Sequence, residues 1–290
     1  MLPWRSLDGV EDEEWDVPAS TVTARDVVRR NNVVETGDPT GRPLVLAHGF
    51  GCDQGMWRHV VPLFQDHRVV LFDHVGAGGS DASAYDRARH DSLDGYAGDV
   101  VDILEALDLR DVVLVGHSVS SMISVITAAQ AHDRVSALVL IGPSPRYVDD
   151  GDYVGGFTQE QIEGMLLSVA GNLTGWAQAM APVIAGNADR PELAEELEAT
   201  FCRYDPGIAA HFAEVTFLSD NRRDLAAVQV PTLVVQCADD PIAPLAVGAY
   251  VHRQVRDSRL VVLDVQGHCP HLSHPLETST AVRAFLAELG

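Results

Sequence analysis

From Asp26 onward the chain alternates between two patterns of apolar and polar positions. Short apolar runs rich in β-branched residues read as strands. They are Val27–Val34 at an edge, then Leu44–Ala47, Val69–Phe72, Val112–Val115, Ala137–Ile141, Thr232–Gln236 and Leu260–Val265. Segments with helical spacing lie between them. Met56–Phe64 reads as a helix or helical turn; Val119–Gln130, Leu245–Val255 and Leu276–Leu289 read as helices. Leu93–Leu107 is the plainest amphipathic case, with Tyr96, Val100, Ile103, Leu104 and Leu107 on one side. Strands that are apolar throughout, alternating with helices, predict an α/β fold: a mostly parallel sheet with helices on both faces.

The rhythm breaks between Tyr147 and Asp220, where no strand pattern appears. Four helices fit instead: Thr158–Ala170, Leu173–Ala185, Arg190–Arg203 and Pro206–Ser219. Pro191 and Pro206 fall near helix starts, where a missing N–H costs little, and Asp205 is a ready N-cap. We therefore expect residues 26–146 and 221–290 to form one core, with residues 147–220 as an all-helical insertion. On the carboxyl edge of the strands, such an insertion would cover the place where these sheets bind ligands. Residues 1–25 are acidic, contain two prolines and show little periodicity, so a flexible extension is expected there.

One junction carries chemistry. The strand run Val112–Val115 stops at Gly116, Ser118 follows two residues later, and a helix pattern begins at once. Strand, sharp turn and helix around Gly116-His117-Ser118-Val119-Ser120 is the layout of a nucleophile elbow, with Ser120 where a glycine is usual. A serine hydroxyl needs a base to take its proton and a carboxylate to orient that base. Both follow in the expected order, each just past a strand. Asp240 lies four residues before Pro244 and is preferred over its neighbour Asp239, which then reads as a solvated turn residue. His268 is the first residue after Gly267. An oxyanion hole would take its N–H groups from Val119 and from Phe50 in the loop His48-Gly49-Phe50-Gly51. His48 and His117 read as packed loop residues.

Two other motifs invite different chemistry. Gly76-Ala77-Gly78-Gly79-Ser80 has neither the lysine nor the glycine spacing of a phosphate cradle and reads as a turn. His268, His271 and His274 are spaced like metal ligands, but Pro270 and Pro275 interrupt the helix that would align them, and no further ligand set accompanies them. We expect no metal and no organic cofactor.

Composition narrows the partners. The 290-residue chain carries a net charge of −22, and all 20 of its basic residues are arginine. Such a surface disfavours nucleic acid and anionic membranes. It reflects a biased genome and ordinary solubility more readily than salt adaptation. No apolar stretch is long enough to span a bilayer, and the N-terminus lacks the pattern of a secretory signal, so a cytoplasmic protein is expected. The four cysteines form no Cys-x-x-Cys pair and are expected to be reduced.

Several motifs together resemble the RsbQ-like α/β-hydrolase family, to which the plant karrikin and strigolactone receptors are related. They are His48–Gln54, Phe72–Gly76, Gly116–Ser120, Gly142–Pro145, Gln236–Asp240 and Gly267–His271, joined within the insertion by Gly155–Phe157, Gly175-Trp176 and Phe217–Asp220. The resemblance covers the chain from about Asp26. It implies a four-helix lid over an apolar pocket above Ser118. Position by position, the implied pocket includes Phe50, His117, Val119, Phe157, Met165, Trp176, Met180, Phe217 and Ile242. Ser120 matches the plant receptors, where the bacterial regulator has glycine. Two functions follow as expectations. One is a serine hydrolase for a small apolar ester, lactone or butenolide. The other is a ligand sensor that acts through a regulatory protein partner, such as a PAS-domain phosphatase. A haloalkane dehalogenase would need Asp in place of Ser118.

Overall fold

The computed structural model describes residues 23–289, so the expected acidic extension lies, through residue 22, outside the described residues. Seven strands form one sheet: β1 (Val34–Gly37), β2 (Pro43–Ala47), β3 (Arg68–Leu71), β4 (Val112–His117), β5 (Val135–Ile141), β6 (Thr232–Asp239) and β7 (Ser258–Gln266). Their order is β1-β3-β2-β4-β5-β6-β7, with β1 antiparallel to β3 and every other pair parallel.

The sheet is buried on both faces because successive strand residues serve two cores. Val112 and Leu114 of β4 join the core that also holds Tyr96, Ile103 and Met122. Val113 and Val115 point the other way, towards Trp57, Phe64 and Phe285. Each such side chain, once fully buried, contributes about 1.5–3 kcal/mol. Helices α2 (Leu93–Ala106) and α3 (Val119–Gln130) supply the first core, and α10 (Pro275–Glu288) supplies the second.

The edge-strand expectation for Val27–Val34 is corrected. Ala24–Arg30 forms a helix, α1, and the strand starts only at Val34. A capping box decides it: the Thr23 hydroxyl accepts from the Asp26 N–H, and the Asp26 carboxylate accepts from the Thr23 N–H. Arg29 and Arg30 then lie in the last turn, where the helix dipole favours cations. Met56–Phe64 resolves into two 3₁₀ turns, Gln54–Trp57 and Val61–Phe64. The glycine-rich segment after β3 is closed on a carboxylate: buried Asp73 accepts from the N–H groups of Gln54 and Gly79, both at 2.8 Å.

Between β5 and β6 come four helices: α4 (Gln159–Gly171), α5 (Leu173–Ala185), α6 (Pro191–Phe201) and α7 (Pro206–Phe217). Thr158 and Gln161 form a capping box for α4, and the Asp205 carboxylate caps α7 through the N–H groups of Gly207 and Ile208. The end of α5 meets the loop after β7, where the His268 N–H donates to the Ile184 carbonyl at 2.8 Å. Gly267 makes this contact possible. Its φ is +92°, and a Cβ there would lie 2.2 Å from the Ala185 carbonyl oxygen. Beyond them lie α8 (Leu245–Gln254) and the short α9 (Pro270–Ser273). Since β2, β4, β6 and β7 run parallel, the segments that follow them emerge on one edge of the sheet.

Candidate active site

Ser118 directly follows β4 and precedes α3. Its φ of +56° places a non-glycine residue in a conformation that costs about 1–3 kcal/mol. The surroundings hold it there. Its N–H donates to the Ile141 carbonyl at 2.8 Å, and the turn packs so tightly that a Cβ on Gly116 would lie 2.2 Å from the Ser120 carbonyl oxygen. The Ser118 hydroxyl makes no helix-capping bond. Its Oγ lies 2.8 Å from His268 Nε2 instead.

His268 Nδ1 lies 2.8 Å from Asp240 Oδ2 and 3.0 Å from Oδ1. Asp240 is buried, and its Oδ1 also accepts from the N–H groups of Ile242 (2.9 Å) and Ala243 (3.0 Å). That turn is what the spacing to Pro244 encodes. Asp239 is exposed and accepts from Gln266 Nε2 at 3.0 Å. With Nδ1–H donating to Asp240, the lone pair of Nε2 faces the serine hydroxyl. The N–H groups of Phe50 and Val119 donate to no backbone carbonyl among the described residues. Val119 directly follows Ser118 in the chain, and Phe50 lines the same cavity as Ser118.

A buried network stands behind the serine, and it explains Ser120. The Ser120 hydroxyl donates to the His48 carbonyl and lies 2.7 Å from His74 Nε2. His48 Nε2 in turn accepts from the His74 N–H at 3.1 Å. One hydroxyl thus joins the loops after β2 and β3 to the first turn of α3. Burial holds His48 and His74 below the usual histidine range, so both stay neutral. Ser120→Ala leaves a buried ring nitrogen and a carbonyl short of a partner. It should lower stability by about 1–3 kcal/mol, read as a shift in the urea midpoint at constant m value. An unchanged midpoint would contradict this role.

A row of rings runs inward from the base: His268, His117, His271 and Trp57, with successive centroids 4.9, 4.4 and 4.4 Å apart. His117 Nε2 donates to the His268 carbonyl at 2.9 Å, while both nitrogens of buried His271 lack partners. Burial, then His268 and Arg58, lower the His271 pKa to about 3. In the unfolded chain it titrates at about 6.5. Stability from this group is therefore complete above about pH 6.5 and lost as pH falls towards the folded value, by about 1.4 kcal/mol per pH unit. His271→Phe keeps the ring but removes the titration. Urea unfolding between about pH 7 and 5 should show a slope shallower by about that amount. Equal slopes would assign the acid sensitivity elsewhere. The other histidines of the triplet diverge, for His274 Nδ1 pairs with the Ser273 hydroxyl at 2.9 Å. Among the described residues no group of three or more His, Cys, Asp or Glu is arranged to hold a metal.

Over Ser118 lies a narrow cavity of about 30 Å³. Phe50, His117, Met165, Trp176, Met180, Phe217 and Ile242 line it together with Ser118 and His268. Val119 and Phe157 do not: Val119 packs in the core beneath α3, and Phe157 lines an outer groove of about 760 Å³ between α4 and α5. Met165, Trp176 and Met180 border both spaces. Phe50 anchors the aromatic wall, with ring centroids 6.0 Å from Trp176, 5.7 Å from Phe217 and 5.6 Å from Phe212.

Several lining residues escaped the sequence reading. Cys52 and Cys269 enter from the strand-end loops; Leu197, Phe201 and Thr216 enter from α6 and α7. Tyr147 places its hydroxyl 3.5 Å from Ser118 Oγ, and burial pushes its pKa up to about 12, so it stays protonated. It follows a Pro-Ser-Pro turn with no periodicity to mark it.

Comparison with known proteins agrees with this fold. A family profile described as the alpha/beta hydrolase fold matches residues 42–275. The karrikin insensitive 2 receptor CA of Petunia hybrida is 38% identical over 245 residues, covering 84% of this chain and 90% of the relative. The strigolactone esterase D14 of Arabidopsis thaliana is 38% identical over 256 residues, covering 88% and 94%. The solved structure of olei00960, a hydrolase from Oleispira antarctica, superposes with a TM-score of 0.88 at 40% identity, covering 91% of this chain and 97% of that one. The chain belongs to the α/β-hydrolase family.

Proposed function

We propose that the protein is a serine hydrolase that cleaves a small, largely apolar, uncharged ester or lactone, butenolides included. The observation that carries this reading is the continuous hydrogen-bonded line from Ser118 Oγ through His268 to Asp240. Ser118 Oγ attacks the carbonyl carbon while His268 Nε2 takes its proton. The oxyanion meets the Phe50 and Val119 N–H groups. Collapse breaks the bond to the leaving oxygen, which receives the proton from His268. Water then gives a proton to His268 and attacks the acyl carbon, releasing the acid and restoring Ser118. Asp240 keeps the His268 ring in one tautomer and balances its transient charge. The apolar cavity walls select against charged substrates. Steady turnover of a p-nitrophenyl ester, preceded by a burst of one p-nitrophenol per protein, supports the reading. No turnover in folded protein would overturn it.

A second reading is a ligand sensor with slow hydrolysis that acts through a protein partner, such as a phosphatase. Cavity size favours it, since about 30 Å³ holds little more than a water. A larger substrate must displace lining side chains, most of which lie on the four inserted helices, so occupancy is felt by those helices. One relative bears the name of a receptor. Near-single turnover with a large rise in melting temperature on ligand addition would place this reading first.

A further inference from the structure

Tyr147 lies in the loop after β5 and is 1% exposed. Its hydroxyl has one hydrogen-bond partner among the described residues, Ser118 Oγ, at 3.5 Å. An ordinary O–H···O bond is about 2.7–2.8 Å long, so this contact is loose. Its direction is set by the other neighbour of the serine. The Ser118 proton is committed to His268 Nε2 at 2.8 Å, which leaves Tyr147 as the donor. Burial keeps the phenol protonated, with its pKa pushed up to about 12. The ring packs edge to face on Phe217, a wall of the cavity, with centroids 4.9 Å apart. Phenylalanine would make that contact without burying a hydroxyl that lacks a good partner.

Sheet order indicates which reacting oxygen this proton meets. β4, which leads into Ser118, lies between β2 and β5. Phe50 follows β2, on one side of the serine. Tyr147 follows β5 and His268 follows β7, both on the other side. The carbonyl oxygen turns to the Phe50 side, so the Tyr147 side holds the oxygen that His268 serves. We propose that Tyr147 is a catalytic residue whose hydroxyl donates to the oxygen exchanged at the acyl carbon: the leaving alkoxy oxygen in acylation, and the water oxygen in deacylation. This rests on the hydrolase reading. In acylation the bond from carbon to the alkoxy oxygen breaks, and its electron pair stays on that oxygen. His268 Nε2 supplies the proton that neutralises it, while Tyr147 keeps its own and steadies the growing charge. In deacylation the water gives a proton to His268 Nε2, accepts from Tyr147, and attacks the acyl carbon. The bond from carbon to Ser118 Oγ then breaks, and Oγ takes the proton back from His268. A held water needs at least two polar partners, and the cavity walls supplied by the inserted helices are mostly apolar.

The test compares the p-nitrophenyl and ethyl esters of one acid. p-Nitrophenolate departs without help, whereas ethoxide does not. Tyr147→Phe should lower kcat/KM for the ethyl ester by about tenfold or more, and for the p-nitrophenyl ester by about threefold at most. With the p-nitrophenyl ester, kcat and KM should fall together, because deacylation limits turnover after the burst. The urea midpoint should hold or rise. Equal losses in kcat/KM for both esters would overturn the proposal, as would no change for either. Loss of the fold in Tyr147→Phe would also overturn it, since the ring is retained and the hydroxyl would then be structural. If unmodified protein turns over neither ester, the hydrolase reading fails and takes this role with it. If it turns over both and the variant shows no difference between leaving groups, only the role of Tyr147 fails.

Discussion

Replacing Ser118 with alanine should lower ester turnover by roughly 10⁶-fold while leaving the protein folded. The size of the expected loss follows from what surrounds the hydroxyl. His268 Nε2 is 2.8 Å away, and no other nucleophile near it is ready to act. Cys52 and Cys269 line the same cavity, but burial pushes both thiols far up, so neither supplies a thiolate. Tyr147 is held protonated in the same way. Retention of the fold follows from the other role of the residue. Its hydroxyl caps no helix, and alanine at φ +56° carries the same backbone strain as serine. Kinetics with a p-nitrophenyl ester and a parallel denaturation curve check both halves. Turnover within tenfold of the unmodified protein would refute Ser118 as the nucleophile.

Asp240→Asn should cost about 10⁴-fold in kcat, with KM little changed. The carboxylate accepts from His268 Nδ1 on one side and from the Ile242 and Ala243 N–H groups on the other. An asparagine amide has one acceptor and one donor end. Either its NH₂ faces the two backbone N–H groups, or it faces Nδ1 and drives the histidine into the wrong tautomer. The first loses the bonds from the two backbone N–H groups and the buried negative charge that balances the histidine; the second leaves Nε2 protonated and unable to receive the Ser118 proton. Asp239→Asn is the matched control, for Asp239 is exposed and touches Gln266 rather than His268. Its kcat should stay within about twofold, as for an exposed surface substitution. Equal losses at the two positions would mean that negative charge near the loop matters, not the geometry of one carboxylate.

The sheet was legible because strands buried on both faces are nearly continuous apolar runs, and the helices between them keep a clear period. The insertion was legible for the converse reason, as the place where strand patterns stop. Ser118, Asp240 and His268 could be linked across 150 residues because each follows a strand and parallel strands share an edge. The first helix was misread because Val27 and Val28 carry high strand propensity, and the Thr23–Asp26 capping box that overrides it spans only one turn. Phe157 was placed in the pocket by resemblance, whereas the segment before α4, bridged to Val148, sets it in the outer groove. Tyr147 was invisible for a different reason. Its importance lies in where its hydroxyl points, 3.5 Å from Ser118 Oγ, and no periodicity or spacing encodes that. Ser120 stood out in the sequence only as a departure from glycine; its bonds to His48 and His74 supply the reason.

The most direct test of the central claim is intact-protein mass spectrometry after exposure to a fluorophosphonate, on unmodified protein and on Ser118→Ala. A mass increase of one phosphonyl group on the former and none on the latter is the predicted result, with the modified peptide mapping to Ser118. An equal increase on both proteins, or none on the unmodified protein with its fold intact, would contradict the assignment of Ser118 as an activated nucleophile.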